Sequence, residues 1–142
     1  VMFGGHCIKT WSSTQDVVAL SSGEAEYYAL VKAVSQGIGM KNLLEDLGVS
    51  VEIEVRTDAS AAKAIASRKG CGKVRHIDVA TLWVQEKVAN KEVRLVKVPG
   101  SENLADILTK HVDKPTLDRL LPHFNISLVS GRHPIMPRVV AQ

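Results

Sequence analysis

Apolar residues follow two rhythms along the chain, and each change of rhythm marks an expected element. Val1 to Phe3 and Cys7 to Trp11 read as two short strands joined at Gly4-Gly5, a pair that supplies the positive φ of a tight hairpin. Ser21 and Ser22 can cap a helix, with Glu24 three residues after Ser21 in capping-box register. The helical pattern then runs through Ala25, Tyr28, Ala29, Val31, Lys32 and Val34. Gly37 and Gly39 are expected to kink or relax it before Leu43, Leu44 and Leu47, and Gly48 to end it. Val51 to Thr57 alternates apolar residues with Glu52, Glu54 and Arg56, the period-2 mark of a strand with one wetter face. Ala59 to Ser67 is helical in composition, Lys69 to Lys73 is a glycine-containing loop, and Ile77 to Val88 reads as an amphipathic helix. Val93 to Val98 alternates again. Pro99-Gly100 breaks that strand, Ser101 to Lys110 reads as a capped helix, and Pro115 to Phe124 as a last short one. The order β-β-α-β-α-α-β-α predicts an α/β fold with a mixed β-sheet flanked by helices. From Ser127 onward, Gly131, Pro134 and Pro137 interrupt any period, so residues 126–142 are expected to be a poorly ordered tail to a domain over 1–125.

Composition narrows this picture only a little. At 142 residues and 45% hydrophobic content the chain can bury one core and is short for two. Eighteen Lys and Arg against 15 Asp and Glu give +3, which permits a polyanionic partner without demanding one. Cys7 and Cys71 stand far apart with no metal-ligand spacing, so buried free thiols are expected. No stretch approaches the roughly 20 apolar residues of a membrane span, and no basic segment precedes an apolar run. The expectation is a soluble intracellular protein with no membrane partner. A start at Val1 that runs at once into strand-like residues reads as a beginning inside a domain.

Three acids have addresses suited to chemistry. Asp58 falls at the carboxyl end of a strand, where α/β proteins commonly place ligands. Glu26 lies about one turn into its helix and Asp106 in the first half of another, so both can project toward that strand end. Three converging carboxylates suit a hard cation such as Mg²⁺, and two such ions can stabilise the attacking and leaving oxygens of a phosphodiester. Isolated solvated acids are the plainer reading of the same residues. Lys69, Lys73 and Arg75 cluster beside Gly70 and Gly72, a flexible basic loop able to grip a phosphate backbone without sequence preference. Lys9 and Ser12, with Ser13, are weaker candidates for phosphate contact. Trp11 and Trp83 sit within apolar patterns and are expected in the core or at its rim.

The stretches TWSSTQDVVALSSGEAEYYAL, EVRTDASAAKAI, KVRHIDVATLWVQEKV and VKVPGSENLADILTK, in that order and spacing, resemble the ribonuclease H domain of copia-type retrotransposon Pol polyproteins over about residues 1 to 125. The resemblance implies a ribonuclease H-like fold, Mg²⁺ or Mn²⁺ as cofactor, and two-metal cleavage of the RNA strand of an RNA/DNA hybrid. It also implies a reverse transcriptase fused upstream, and a home in cytoplasmic virus-like particles or the nucleus. Carried over by position, Glu26 matches the helix glutamate, Asp58 the strand-end aspartate and Asp106 the last aspartate. Glu26 is preferred to Glu24 because AEYYAL fits the family's helix register while Glu24 sits in the capping position. His76 and Asp78 match the family's K-H-I-D element. Asp78 is expected to favour a helix start, and His76 to hydrogen-bond backbone or phosphate, or to shuttle a proton.

Two departures from the family pattern bear on activity. The family places its first catalytic aspartate on a strand upstream of the opening hairpin, a segment absent here. Its absence predicts weakened metal binding and little or no cleavage by residues 1–142 alone. Ala59 stands where the family usually has Asn and cannot reproduce an amide's hydrogen bonds. The sequence therefore supports an enzyme, a binding module of the same fold that holds hybrid without cutting it, or an inert retroelement remnant. No GxSxG, phosphate loop or HExxH points elsewhere.

Overall fold

A computed structural model describes residues 1–72, 76–126 and 131, and its architecture is mixed α/β with small sheets. In chain order the elements are β1 (Met2–Phe3), β2 (His6–Cys7), α1 (Ser22–Asp46), β3 (Ile53–Thr57), α2 (Ser60–Ala66), α3 (Trp83–Ala89), β4 (Val93–Lys97), α4 (Asp106–Thr109) and α5 (Lys114–Leu120). They fall into two compact units, one of residues 11–110 and one of residues 1–10 with 111–142.

In the larger unit, α1 starts where its capping sequence predicts. Ser21 is extended, and its Oγ accepts the Glu24 N–H at 3.2 Å. The helix then runs unbroken for 25 residues, so Gly37 and Gly39 do not interrupt it. Close packing gives two of its glycines their reason. A Cβ on Gly37 would stand 3.1 Å from Ile53 of β3, and one on Gly23 would meet Ala61 of α2 at 2.8 Å. The helix ends at Leu47, and Gly48 follows with φ +79°.

Strands β3 and β4 pair in parallel from Ile53↔Val93 to Thr57↔Lys97, with α2 and α3 forming the crossover between them. Their alternation is that of a sheet with one covered face. Ile53, Val55, Val93 and Leu95 pack on the core, whereas Glu54 on the other face takes Arg56 and, across the strands, its register partner Arg94. The core gathers Tyr27, Leu30 and Val34 of α1, Ala62, Ile65 and Ala66 of α2, Ile77, Val84 of α3 and Val93. Tyr27, Leu30 and Val34 fall at helical spacing on one face, and Trp83 packs on the rim of this cluster as expected.

Two helices are shorter than the pattern predicts. The segment from Ile77 opens with a 3-10 turn over Val79–Thr81 capped by Asp78, whose Oδ1 accepts the Ala80 N–H at 2.9 Å, and α3 begins only at Trp83. The segment from Ser101 splits into a 3-10 turn over Gly100–Glu102 and the single turn of α4, because Asn103 adopts an extended conformation between them. Cys7 and Cys71 are free, as expected, but only half-buried.

Buried Gln85 is a polar centre that the periodicity did not mark. Its amide nitrogen donates to the carbonyls of Ile65 (2.8 Å) and Gly70 (3.0 Å), and its oxygen accepts the Gly70 N–H at 2.8 Å. One side chain thus closes the end of α2 and pins the glycine loop that carries Lys69. Gln85→Ala would leave these groups unpaired and is expected to cost about 1–3 kcal/mol in urea unfolding, with faster amide exchange at Gly70.

In the smaller unit, β1 and β2 pair antiparallel, Met2↔Cys7 and Phe3↔His6, around Gly4 with φ +58°. Asp113 caps α5 by accepting the Thr116 N–H at 3.1 Å, and a 3-10 turn over Leu121–Phe124 follows. Asn125, in the left-handed region at φ 56°, donates from Nδ2 to the Gly5 carbonyl at 2.9 Å.

Candidate acidic site

Asp58 lies just past the last residue of β3, half-buried, with its position set on both sides. Buried Thr57 turns its hydroxyl back to accept the Ala59 N–H at 3.1 Å, and the Val98 N–H extends the ladder to the Thr57 carbonyl at 3.0 Å. The Pro99-Gly100 turn borders the carboxylate, since a Cβ on Gly100 would stand 3.5 Å from Asp58 Oδ2. Ala59 caps α2 with its backbone alone, so the helix lacks the side-chain acceptor that an Asn there would provide. Ser60 Oγ instead takes the Lys97 ammonium.

Asp106 opens α4 and has both carboxylate oxygens engaged. Asn103 Nδ2 donates to Oδ1 at 3.1 Å, and Lys110 Nζ to Oδ2 at 2.8 Å. Glu26 is exposed on α1. The Lys110 ammonium pairs with Asp106. Its pKa is raised first by the hydrogen bond and charge of Asp106, against desolvation, with lesser contributions from the charges of Asp58 and Glu26.

This oxygen-only donor set suits a hard divalent cation in chemistry, but the placement does not. Among the described residues, no three His, Cys, Asp or Glu side chains are grouped closely enough to hold a metal, and Asp106 has both oxygens taken by Asn103 and Lys110.

The neighbouring glutamate has a different fate. Glu24 is only 2% exposed and accepts the Leu20 N–H at 2.8 Å, the Tyr28 hydroxyl at 3.2 Å and a 2.8 Å hydrogen bond with His76 Nε2. It reaches Leu20 rather than the backbone of Ser21, a variant of the capping box. Here is the structural partner of His76, the Glu24 carboxylate. Asp78 is taken up by its 3-10 turn.

Burial pushes the Glu24 carboxyl up, but the hydrogen bonds from His76, Leu20 and Tyr28 and the charge of His76 outweigh it, leaving its pKa below the ordinary value. A carboxyl depressed on folding contributes stability above its unfolded pKa and loses it as pH falls through the folded value. Glu24→Gln is therefore expected to lower Tm by several degrees at neutral pH. Its difference from the native chain should begin to shrink below about pH 4.5, where the unfolded chain's carboxyl protonates, and vanish as pH falls through the lower folded pKa, as read by thermal melts across pH.

Of the expected phosphate-binding residues, Lys69 and Ser12 are exposed and Lys9 is exposed in the smaller unit, whereas Lys73 and Arg75 lie outside the described residues. Arg68, which the motif reading passed over, folds its guanidinium onto the Cys71 carbonyl and beneath Gly72, where a Cβ would meet it at 2.7 Å.

Among the described residues no helix is long and apolar enough to cross a membrane. No family model and no solved structure matches the chain. It is 34% identical over 114 residues to the retrovirus-related Pol polyprotein from transposon TNT 1-94 of Nicotiana tabacum, a match covering 79% of this chain and 9% of that protein. Two Arabidopsis thaliana proteins are also similar. The retrovirus-related Pol polyprotein from transposon RE1 is 25% identical over 133 residues, covering 91% of this chain and 9% of its own length. That from transposon RE2 is 27% identical over 118 residues, covering 80% and 8%. The homologues of this chain are thus Pol polyproteins of copia-type retrotransposons, each matched over less than a tenth of its length.

Proposed function

We propose that the chain is the ribonuclease H portion of such a polyprotein, with a ribonuclease H-like fold, acting on the RNA strand of RNA/DNA hybrids. What supports this reading is the setting of Glu26, Asp58 and Asp106 in the fold, one at a strand end and two on helices, together with the similarity to Pol polyproteins of copia-type retrotransposons. The parallel β3–β4 pair with its helical crossover accords with it. Mg²⁺ or Mn²⁺ is the ion that oxygen-only donors would recruit. Asp58 is the rigid member, fixed by strand and turn. Glu26 and Asp106 ride on helices whose small displacement would change their separation. Lys69 offers a sequence-independent grip on backbone phosphate, held in place by Gln85 through Gly70, and fusion to a reverse transcriptase would bring hybrid to the site.

A second reading, a module that holds hybrid without cutting it, is favoured by one specific fact. Asp106 is neutralised by Lys110, and among the described residues no three acids are grouped for a metal. A labelled RNA/DNA hybrid separates the two, tested with the chain alone and joined to the reverse transcriptase segment of a Pol polyprotein. Metal-dependent cleavage in either setting supports the enzyme. Salt-sensitive binding without cleavage in both supports the module, and neither binding nor cleavage sinks both readings.

A further inference from the structure

We infer that Arg68 is a positioning residue for phosphate contact: together with Gln85 it holds the turn after α2 in one shape, so that Lys69 meets a nucleic-acid backbone from a preformed loop. The inference rests on the reading of Lys69 as a phosphate grip, and extends it to a residue whose own charge is turned onto the loop.

Each residue from Gly70 to Gly72 is fixed by a side chain. Gly70 gives its N–H (2.8 Å) and its carbonyl (3.0 Å) to the buried Gln85 amide of α3. Cys71 gives its carbonyl to Arg68 Nη2. Gly72 lies so close over the guanidinium that a Cβ would stand 2.7 Å from Cζ and Nη1. Gly70 and Gly72 take φ of +75° and +56°, the left-handed backbone that lets the chain fold back over this side chain. On the other side of Lys69, the Ser67 N–H closes α2 on the Lys63 carbonyl at 3.0 Å. Lys69 is exposed between these two fixed ends.

The inward guanidinium comes at a cost. Its Nε is buried with no hydrogen-bond partner among the described residues, a group that water would satisfy if the side chain turned outward. The planar fork spans Cys71 and Gly72 at once, which a point-charge ammonium does not. This brace adds little to the core, because Lys69, Gly70 and Gly72 are exposed and Cys71 only half-buried. What it supplies is order before binding. A loop that must be ordered on meeting its ligand loses contact energy to that ordering, and one ordered in advance does not.

Binding of a fluorescently labelled RNA/DNA hybrid to the full chain, read by anisotropy across a salt series, tests this through affinity and through the salt slope, which counts phosphate contacts. Lys69→Gln should weaken binding and lower the slope by about one. Arg68→Lys keeps the charge and loses the fork, whereas Gly72→Ala changes no charge and drives a Cβ into the guanidinium. Each should weaken binding by roughly three- to tenfold at unchanged slope, with faster amide exchange at Gly70, while circular dichroism checks the fold. Native affinity in either variant, with or without a fall in Tm, overturns the inference and leaves Lys69 as a phosphate contact. A slope lowered by Arg68→Gln as much as by Lys69→Gln also overturns it, since Arg68 would then touch phosphate itself. An unchanged slope in Lys69→Gln overturns it by removing the residue that the brace serves, although hybrid binding stands. No binding of hybrid by the native chain overturns the inference together with the nucleic-acid reading beneath it.

Discussion

Replacing Tyr27 by alanine is expected to destabilise the larger unit by about 3–5 kcal/mol, the range for truncating a fully buried aromatic. Tyr27 has no exposed surface and lies at the centre of the core cluster, where α1 meets α2, Ile77 and α3. Its hydroxyl also donates to the Thr81 carbonyl at 2.9 Å, tying α1 to the 3-10 turn in front of α3. Burial raises its pKa, with the Thr81 hydrogen bond opposing, as for a phenol held neutral in an apolar site. The alanine variant loses the ring's contacts, leaves a cavity bordered by three elements and unpairs a carbonyl. Domains are commonly stable by only about 5–15 kcal/mol, so this one change removes a large share. Tyr27→Phe separates the contributions, since it keeps the ring and loses only the hydrogen bond, at about 1 kcal/mol. Urea unfolding of both variants followed by circular dichroism checks the pair. Equal, small losses would show that the core does not centre on this ring.

Tyr27 also marks a limit of what the sequence made legible, since the helical pattern read through Tyr28, Ala29 and Val31 passed over the buried Tyr27 and Leu30. The long helix itself was readable from its cap and its closing glycine, and both larger strands from their alternation, because these features depend on neighbours a few residues apart. The role of Gly37 was not readable in that way. Its reason is Ile53, sixteen residues on and in another element, so a glycine that looks like a helix breaker is a contact surface. Gln85 was hidden for the same reason. A glutamine on an amphipathic helix looks like a solvated face until Ile65 and Gly70 come within reach of it. The split of the Ser101–Lys110 segment turns on Asn103, whose side chain serves Ala105 and Asp106 by local hydrogen bonds that compete with a continuous helix.

The acidic site divides along the same line. Three acids with suitable addresses were legible, and so was the distinction between Glu24 and Glu26, since capping register marks one and leaves the other. In the fold the first is buried at the cap and the second is exposed. The partner of Glu24 was not legible, because His76 is 52 residues away. Lys110 reads as an ordinary basic residue at a helix end, and in the fold it pairs with Asp106 four residues before it.

Asp58→Asn is the change with the largest expected effect on chemistry. In whichever setting metal-dependent cleavage of hybrid is observed, it should fall on the order of a hundredfold or more, equivalent to about 2.7 kcal/mol of transition-state stabilisation. The substitution preserves shape and removes charge. Asp58 is held by the Thr57 turn through backbone groups that an Asn would not disturb, so fold and Tm should be little changed. Hybrid affinity should hold or rise slightly, because a negative charge facing phosphate is lost. Asp78→Asn makes the same chemical change in the neighbouring motif but touches only the cap of a 3-10 turn, where Asn serves nearly as well, so cleavage should stay within about twofold. Equal loss in the two variants would assign the effect to general destabilisation. Retention of cleavage in Asp58→Asn would remove the strand-end carboxylate from the chemistry and, with it, the argument that β3 exists to present it.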